Sequence, residues 1–427
     1  MNSDTDTVDG GMATAAAPRS LWRNRDYLVL WGGQAVSVLG SQASTLALPL
    51  LILAVTHSPA QAGLLGALRG LAYLLFGLPA GAYIDRWDRK RVMLFCDSGR
   101  ALAFASIPLA LVVGHLTVVQ LYIVSFIEGT LFIFFGLAET ACLTRVVPAA
   151  QLPAAVAQSQ ATDAASGLVG PSVGGALFSL ARGLPFVADA VSYALSVLSL
   201  LFIRTRFQEE RVAARRPLRT EIGEGMRWIW QHPVVHLLMW LNGGINLLYG
   251  GWTLLLIGLA QRQGASSATI GLIFSTGGVG TILGALLTPA AQRRFTVGQI
   301  MVGIAWIFAI TWPPYALAPN LLTLGVVNAV GFVFVPIYVG TQYSFRLLLV
   351  PDALQGRVNS IFRLVTFGSQ TLGFLMIGVL LQWHGPIATV WFTFVPMVAL
   401  ACITTLSARL RREGRLAGDE GGIGRPP

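Results

Sequence analysis

Ionisable side chains inside long apolar segments are the residues of this sequence best suited to chemistry. A charged group within an apolar helix is costly to bury, so it is retained mainly where it carries a function. The members of this set are Arg69, Asp97, Arg100, Glu128, Asp163, Asp189 and Arg363. Carboxyl groups in such surroundings can take up and release protons, so the chemistry that the set predicts is proton transfer.

Glu128 is the strongest candidate for a proton carrier. It lies about ten residues into its apolar segment, which places it about 15 Å deep, near the middle of a membrane. Burial there favours the neutral acid until water enters. Arg69, also deep within its segment, is the expected counter-ion. The alternative is that neighbouring groups satisfy Glu128 and that it has no functional role.

The remaining acidic residues of the set are placed nearer to segment ends. Asp97 and Arg100 are three residues apart, a spacing that favours a structural ion pair on one helix face. Asp163 and Asp189 lie about one turn from the ends of their segments, where solvation or helix capping would also explain them. We expect Asp163 and Asp189 to be the next candidates for proton coupling after Glu128.

A dense charge cluster separates two apolar segments in the stretch "GAYIDRWDRKRVM", from Gly81 to Met93. Six of the seven residues from Asp85 to Arg91 are ionic, although only 11% of the chain is charged. A solvated cluster that fixes membrane topology would explain the basic residues but not the acidic ones. A short loop with both signs can attach to another helix end in one conformation and release it in another, so the cluster favours a conformational latch.

The elements that hold these residues are predicted to be membrane-spanning helices. The chain has 427 residues, of which 54% are hydrophobic, and its mean hydropathy is +0.67. Apolar runs of about 20 residues are long enough to cross a membrane as helices. Twelve such runs are found, at 27–55, 62–84, 92–113, 118–141, 158–181, 184–203, 234–258, 268–290, 298–318, 321–345, 359–382 and 386–407. The predicted fold class is an all-α membrane protein with twelve transmembrane helices.

The net charge of +10 reflects how basic residues are distributed between the two sides of the membrane. When the first helix runs outward, nearly all loop arginines and lysines fall on one side, and only Arg182 and Arg262 fall on the other. This asymmetry predicts a plasma-membrane protein with both termini cytoplasmic, and it gives no reason to expect a nucleic-acid partner.

Targeting and cysteine patterns add little to this interpretation. The start "MNSDTDTVDG" lacks a basic region followed by a short apolar core, so we expect no cleaved signal peptide. Cys96, Cys142 and Cys402 have no paired spacing, so we expect neither a disulfide nor a zinc site. The five histidines are scattered, which argues against an enzyme, and no cofactor is expected.

The two halves of the chain repeat one another. "SPAQAGL" from Ser58 corresponds to "SSATIGL" from Ser266, and other landmarks keep nearly the same offset. Parallel repeats of this kind characterise transporters whose halves rock about a central site. The predicted regions are an N-terminal tail at 1–25, a six-helix bundle at 26–204, a linker at 205–233, a second six-helix bundle at 234–407 and a tail at 408–427. Apolar linker residues such as Ile229 and Trp230 recur on one face, which predicts a helix on the inner membrane surface.

The charge cluster resembles a motif of a known transporter superfamily. "GAYIDRWDRKRVM" is similar to motif A of the major facilitator superfamily, whose pattern is Gly-x-Leu-Ala-Asp-Arg-x-Gly-Arg-Lys-x-x-Leu. The matching residues are Gly81, Asp85, Arg86, Arg89 and Lys90, whereas Tyr83, Asp88 and Met93 depart from it. Asp88, with the start "RNRDYLVLWGGQAVSVLGSQ", resembles the drug-efflux branch that includes macrolide and enterobactin exporters. The resemblance implies that the loop locks the outward-facing state by holding the eleventh helix, which carries Arg363.

Two further stretches resemble motifs of that superfamily. "GLVGPSVGG" is similar to motif C, which is associated with antiporters, although Ser166 stands where the pattern has its first Gly. The residues concerned are Gly167, Gly170, Pro171, Gly174 and Gly175, and a plain packing role for them is a common alternative. "LYIVSFIEG" aligns with motif B, with Ser125 in place of its Arg and Glu128 in place of its Gln. The residue usually tied to coupling is therefore missing, and an acid lies one helical turn away.

The resemblance also implies that the first, fourth, seventh and tenth helices line a central cavity. Polar and aromatic residues recur on one face of three of these helices: Gln34, Ser37, Ser41, Asn242, Asn246, Tyr249, Tyr338 and Gln342. Such stripes could instead serve to hold helices together. Few fixed charges and several aromatic rings indicate a roomy site for an amphipathic organic substrate.

We therefore expect a secondary active transporter that sits as a monomer in the lipid bilayer. The resemblance favours a proton-coupled exporter of drugs or natural products that works by alternating access. A siderophore exporter, a lipid flippase and an uptake symporter on the same fold remain the alternatives.

Overall fold

The computed structural model describes residues 21–84, 86–204 and 218–411, and these residues are almost entirely α-helical. Asp85, the first part of the linker and most of both predicted tails lie outside the described residues. Nine helices of the described part are long and apolar enough to cross a membrane. The longest of them contains two spans, and two further helices are interrupted or more polar. The described residues thus form the twelve predicted spans.

Six spans come from the first half of the chain. They are Arg25–Thr56, Pro59–Phe76 continued by Pro79–Ile84, Arg89–Val113, Val118–Val146, Leu152–Leu180 and Leu184–Phe202. The second span is interrupted just before Pro79, because a proline has no N–H to continue the helical ladder. The first span starts at Arg25, at the end of the predicted N-terminal tail.

Six further spans come from the second half. They are Pro233–Tyr249 continued by Trp252–Arg262, Ser267–Arg294, Val297–Thr311 continued by Pro313–Leu317, Leu321–Leu349, and the two parts of Asp352–Leu406. Gly385 divides this last helix, since its φ of 74° and ψ of 174° lie outside the helical region. The eleventh span begins at Asp352, earlier than predicted, because polar turns continue the helix beyond the apolar run.

Side-chain caps set where several spans begin, and two of these caps occupy repeated positions. The Ser58 hydroxyl accepts a hydrogen bond from the backbone N–H of Gln61 at 3.3 Å. The Ser266 hydroxyl accepts one from the backbone N–H of Thr269 at 3.2 Å. These serines begin the second span of each half, so the repeat predicted from their sequences is present in the helices.

The two bundles meet closely at one end of the spans. We call the end at which Arg89, Arg204 and Arg293 lie the basic side, and the end with the turn at 57–58 the opposite side. On the opposite side, glycines of the two bundles face each other across the interface. A Cβ added to Gly63 would lie 2.9 Å from Gly378 Cα, closer than real side chains approach.

The same contact recurs between the other pair of spans. A Cβ added to Gly175, in the fifth span, would lie 3.0 Å from Gly271 Cα in the eighth. Gly63 and Gly271 occupy the same position in the repeated sequences, so the two contacts are equivalent. Small residues allow helix backbones to approach closely inside a membrane. The opposite side is therefore closed by two glycine contacts.

A wide cavity separates the two bundles on the basic side. It has a volume of about 840 Å³ and lies between the fourth span, at Gly136 and Thr140, and the eleventh, at Gly356 and Ser360. We call it the vestibule. A second cavity, of about 750 Å³, lies at the surface of the opposite side, near Ser179.

The described part of the linker forms a helix, Leu218–Gln231, beside the vestibule. Ile229 of this helix is fully buried, and Glu224 forms an ion pair with Arg357 of the eleventh span. The linker helix therefore packs against the second bundle. Its position on the inner membrane surface remains a prediction.

Candidate functional site

A buried ionic triad lies in the first bundle, with Glu128 at its centre. Arg69 binds this carboxylate with two nitrogens, at 2.5 Å from Nε to Oε2 and 3.1 Å from Nη2 to Oε1. Arg100 approaches the same Oε1 with its Nη2 at 3.4 Å. Arg69 thus forms an ion pair with Glu128, and Arg100 is a second cation that the sequence analysis did not assign to Glu128. If the Glu128 carboxylate were neutralised, Arg69 and Arg100 would lose the anion that lies between them.

Arg100 connects the triad to the third and sixth spans. Its Nη1 lies 3.6 Å from Asp97 Oδ1, which confirms the predicted ion pair. The Asp97 carboxylate also accepts a hydrogen bond from Ser196 at 2.5 Å, and Ser196 in turn accepts one from Gln34 at 3.0 Å. The guanidinium of Arg100 lies over the ring of Tyr193 at 4.2 Å. Each charge of this network is paired, as burial requires.

Asp189 is a buried acid of the first bundle for which the structure describes no ion pair. It is fully buried on the sixth span, and its Oδ1 accepts a hydrogen bond from Ser192 at 3.2 Å. Its Oδ2 has no hydrogen-bond partner among the described residues. Protonation at this oxygen would break none of the ion pairs that the structure describes.

Glu128 and Asp189 both line a cavity of about 370 Å³ in the middle of the protein. Ser41 also lines it, together with the exposed third of the Arg69 side chain, which is 35% accessible. The second bundle contributes aromatic and polar groups of the eleventh span, among them Phe374 and Gln370. The cavity thus lies between the two bundles and has its charged groups on the first-half wall.

The second half supplies an adjoining cavity of about 410 Å³ with a different wall. All five residues predicted from the second half line it: Asn242, Asn246, Tyr249, Tyr338 and Gln342. Gln370 and Phe374 border both cavities, so the two adjoin each other at these side chains. We call them together the central cavity. Its second-half wall is rich in amides and aromatic rings.

The predicted stripe on the first span divides between cavity and helix interface. Ser41 faces the central cavity and also hydrogen-bonds Tyr193 at 2.7 Å. Gln34 and Ser37 are buried and are not among the described residues that line it. Gln34 instead donates to Ser196 of the sixth span. For Gln34, the alternative role of holding helices together fits its contact better.

One cation of the cavity wall was missed by the sequence analysis. Arg346, near the end of the tenth span, lines the second-half wall, where its guanidinium lies 4.1 Å from the ring centre of Phe362. Its position could have been found, because it lies four residues after Gln342 and therefore on the same helix face. It was missed because it directly follows the predicted apolar run at 321–345, where loop arginines are expected.

The vestibule separates groups of opposite charge. Glu139 and Asp163 line it from the first bundle, and Arg357 and Arg363 line it from the second. Arg363 also borders the central cavity, and its guanidinium lies 5.8 Å from the ring centre of Tyr73. Asp163 is thus placed at the entrance rather than beside Glu128, so the predicted coupling residues do not form one cluster.

Two basic residues of motif A, Arg89 and Lys90, are fixed to their own bundle in this state. Arg89 donates to the Ala141 carbonyl at 3.4 Å, and Lys90 donates to the Ile203 carbonyl at 2.6 Å, at the end of the sixth span. Arg86 is exposed, and Asp85 lies outside the described residues. Gly81 and Arg363 border the same vestibule, so the loop and the eleventh span face each other across open space.

Asp88, the departure from the motif A pattern, has a local role. Its Oδ1 accepts a hydrogen bond from the backbone N–H of Arg91 at 3.0 Å, which caps the third span. The charge cluster is thus also the start of a helix.

Motif C packs the fifth span against both bundles. Gly170 and Gly174 face the first span at Gln42 and Ala43, while Gly175 faces the eighth span. The carbonyl of Pro171 lies where a side chain at Gly271 would be. Gly167 has open space around it, so it is the one residue of the motif that packing does not require. The motif therefore helps to close the opposite side.

Comparisons with known proteins agree with this architecture. The family described as transmembrane secretion effector matches residues 14–417. The multidrug efflux pump Tap of Mycolicibacterium fortuitum is 26% identical over 390 residues, which cover 87% of this chain and 93% of Tap. The macrolide efflux protein A of Streptococcus pyogenes is 26% identical over 405 residues, which cover 89% of this chain and 96% of that protein.

A solved structure shares the fold. The crystal structure of a bacterial homologue of the human lysosomal transporter Spinster, in an inward-facing and unoccupied conformation, matches with a TM-score of 0.73. The two sequences are 16% identical, and the match covers 91% of this chain and 98% of that one. From the family match and the twelve-span architecture, this chain belongs to the transmembrane secretion effector family of the major facilitator superfamily and is a multi-pass membrane transporter.

Proposed function

We propose that this protein is a proton-coupled exporter of amphipathic organic molecules that works by alternating access. The observation that carries the proposal is the central cavity between the two bundles, with glycine contacts on one side of it and the vestibule, which shares the lining residue Tyr73, on the other. The names of the relatives, a multidrug efflux pump and a macrolide efflux protein, support export as the direction.

The walls of the central cavity support an amphipathic substrate. Aromatic rings such as Trp252 and Phe374 offer apolar area, while Asn246 and Gln370 offer hydrogen bonds. A combined volume of several hundred Å³ is in the range of sites for drug-sized ligands. The substrate enters from the vestibule and leaves when the bundles rock and the glycine contacts on the opposite side separate.

Proton coupling is assigned to the acidic groups on the first-half wall. Glu128 keeps the two arginines in place. Asp189, whose buried Oδ2 has no hydrogen-bond partner within the described part of the chain, can exchange a proton without breaking an ion pair found there. Both acids border the space that the substrate occupies. Arg100 lies in the same network, so a change of charge at either acid alters the field at the other.

Motifs A and C act in this cycle as a latch and a hinge contact. Gly81 and Arg363 face each other across the vestibule and come together when it closes. The loop is held in position by its cations, Arg86, Arg89 and Lys90. The fifth span, through Gly174 and Gly175, keeps the opposite side shut until then. Both steps need only one copy of the chain, so we assign function to the monomer.

We place the basic side in the cytoplasm, with the protein in a plasma membrane and both termini cytoplasmic. Arg89, Lys90, Arg293 and Arg294 lie at this end of the spans, and an excess of positive charge in cytoplasmic loops supports this orientation. In this orientation the vestibule faces the cytoplasm, where an exporter collects its substrate.

The test compares the accumulation of amphipathic dyes and a labelled macrolide in cells with and without the protein, each with and without an uncoupler. We expect lower accumulation with the protein, and the uncoupler should abolish the difference. Higher accumulation with the protein would contradict export and favour an uptake symporter. A difference that persists with the uncoupler would contradict proton coupling. Faster transfer of a fluorescent lipid between leaflets, without dye export, would favour a flippase.

A further inference from the structure

Arg346 occupies an unusual position on the second-half wall of the central cavity. The central carbon of its guanidinium lies over the ring of Phe362, at 4.1 Å from the ring centre, and 5.8 Å from the ring centre of Tyr343. An arginine that stacks in this way keeps its N–H groups directed outward from the edge of the plane. The stacking therefore fixes the group without using its donors.

The donors of Arg346 are largely unused. Nη1 donates to Gln342 Oε1 at 3.3 Å, and Gln342 is itself held because its Nε2 donates to the Tyr338 hydroxyl at 3.0 Å. Nε of Arg346 is shielded from solvent and has no hydrogen-bond partner among the described residues. A guanidinium carries five N–H donors, so the group is positioned but not satisfied.

The surroundings of Arg346 lack a compensating acid. The described residues that line this part of the cavity include Arg346 and Arg363 but no carboxylate. On the first-half wall, by contrast, Arg69 and Arg100 each have a carboxylate within 4 Å. A partly buried cation without a counter-ion is costly, and an anion that arrives with the substrate would remove that cost.

A purely topological role explains Arg346 less well. Arg293 and Arg294 lie at the same end of the eighth span and are exposed, as residues that fix topology need only be. Arg346 points instead into the cavity and is held there by Phe362 and Gln342. Its position is that of a side chain prepared for a ligand.

We propose that Arg346 binds the anionic group, a carboxylate or sulfonate, of an aromatic amphiphile that the protein transports. The aromatic body of the substrate then lies against the rings of Trp252, Phe332 and Phe374 in the same cavity of about 410 Å³. The proposal names the substrate class of the proposed exporter and therefore rests on that function.

The test is a binding measurement with two probes that share an aromatic skeleton. Anilinonaphthalene sulfonate carries the anion, and phenylnaphthylamine lacks it. Both are titrated against the full-length protein in phosphatidylcholine nanodiscs, and the signal of empty nanodiscs is subtracted. The variants are Arg346→Gln, Arg346→Lys and, as a matched control, Arg294→Gln.

We expect Arg346→Gln to weaken binding of the sulfonate by about tenfold or more, the usual effect of losing a charge-assisted hydrogen bond, while binding of phenylnaphthylamine is unchanged. Arg346→Lys should keep part of the affinity, because the charge remains but the fork of donors does not. Arg294→Gln should bind both probes like the original protein. In nanodiscs that contain phosphatidylglycerol, the surface charge weakens sulfonate binding to every variant, but the ratio of affinities between the original protein and Arg346→Gln should be unchanged. A ratio that falls to one there would overturn the assignment to a soluble substrate.

The outcomes separate this inference from the proposed function. If phenylnaphthylamine binds but Arg346→Gln leaves the sulfonate affinity intact, the anion site is overturned and the amphipathic cavity stands. If Arg346→Gln weakens both probes equally, the residue acts on cavity shape and the anion site is again overturned. If neither probe binds the original protein, both the anion site and the proposed amphipathic cavity are overturned.

Discussion

Replacing Glu128 with Gln tests whether the buried triad is formed as described. The substitution keeps the size of the side chain but removes the anion between Arg69, at 2.5 Å, and Arg100, at 3.4 Å. Removing one partner of a buried ion pair costs about 3–5 kcal/mol. Arg100 retains Asp97 at 3.6 Å, and the Arg69 side chain is 35% exposed to the cavity, where water can solvate it. We therefore expect the lower end, a loss of about 3 kcal/mol in the free energy of unfolding.

Asp189→Asn is the matched comparison for this measurement. Asp189 is as deeply buried as Glu128, but the structure describes no ion pair for it, and its Oδ2 has no partner among the described residues. Its replacement should change the unfolding free energy by less than about 1 kcal/mol. The double variant Glu128→Gln with Arg69→Gln should recover part of the loss, because one fewer cation is left unpaired.

The assay is unfolding of the purified protein in mixed micelles by a denaturing detergent, followed by circular dichroism and tryptophan fluorescence. The reasoning is refuted if Glu128→Gln and Asp189→Asn have the same stability, or if the double variant is less stable than the sum of its two single changes. A dye-export assay on the same variants then separates structure from coupling. Asp189→Asn should fold normally yet lose uncoupler-sensitive export, and normal export by this variant would exclude Asp189 as the proton site.

Two further predictions concern the contacts between helices. Gly175→Leu should abolish transport and open the opposite side, because its side chain would displace the backbone of Gly271, whose Cα lies 3.0 Å from the added Cβ. Labelling of a cysteine at Thr253 by an impermeant maleimide from the opposite side would report the opening. The control Gly167→Leu, at a position with open space, should behave like the original protein. Glu224→Gln should lower the unfolding free energy by less than about 1 kcal/mol, since its ion pair with Arg357 is partly exposed, and a larger loss in the same detergent titration would contradict the account of the linker helix.

The helices and their order were predictable because each span is a long apolar run between caps or turns. The cap at Ser58 and its counterpart at Ser266 were visible as repeated sequences, and the pairing of Arg69 with Glu128 followed from two opposite charges in one apolar region. Local pattern was sufficient for these features, since each depends on residues that are near in sequence or rare in their surroundings.

Features that depend on helix rotation were not predictable. The stripe of Gln34, Ser37 and Ser41 defined a polar face, but only packing against the sixth span decides that Gln34 meets Ser196 while Ser41 borders the cavity. Arg346 was missed because it directly follows the predicted apolar run, although its spacing from Gln342 places both on one helix face. The closing contact of Gly63 with Gly378 joins residues from different halves, which no periodicity relates.

Alternating access is tested most directly by two distances measured in one protein. Spin labels at Thr140 and Ser360 report the width of the vestibule, and labels at Ser179 and Gln261 report the opposite side, where both residues border a surface cavity. Cys96, Cys142 and Cys402 are first replaced so that only the introduced cysteines react. Each pair spans the two bundles, so rocking must change both distances.

The measurement is double electron–electron resonance on transport-active protein in nanodiscs, across pH and with and without an exported dye. We predict two populations of distances for each pair of labels. In one state the vestibule distance is long and the opposite-side distance is short, and in the other state this is reversed. The fraction of molecules in each state should be the same for both pairs. Single, unchanging distances in protein that still transports, or distances that lengthen together, would contradict alternating access about the central cavity.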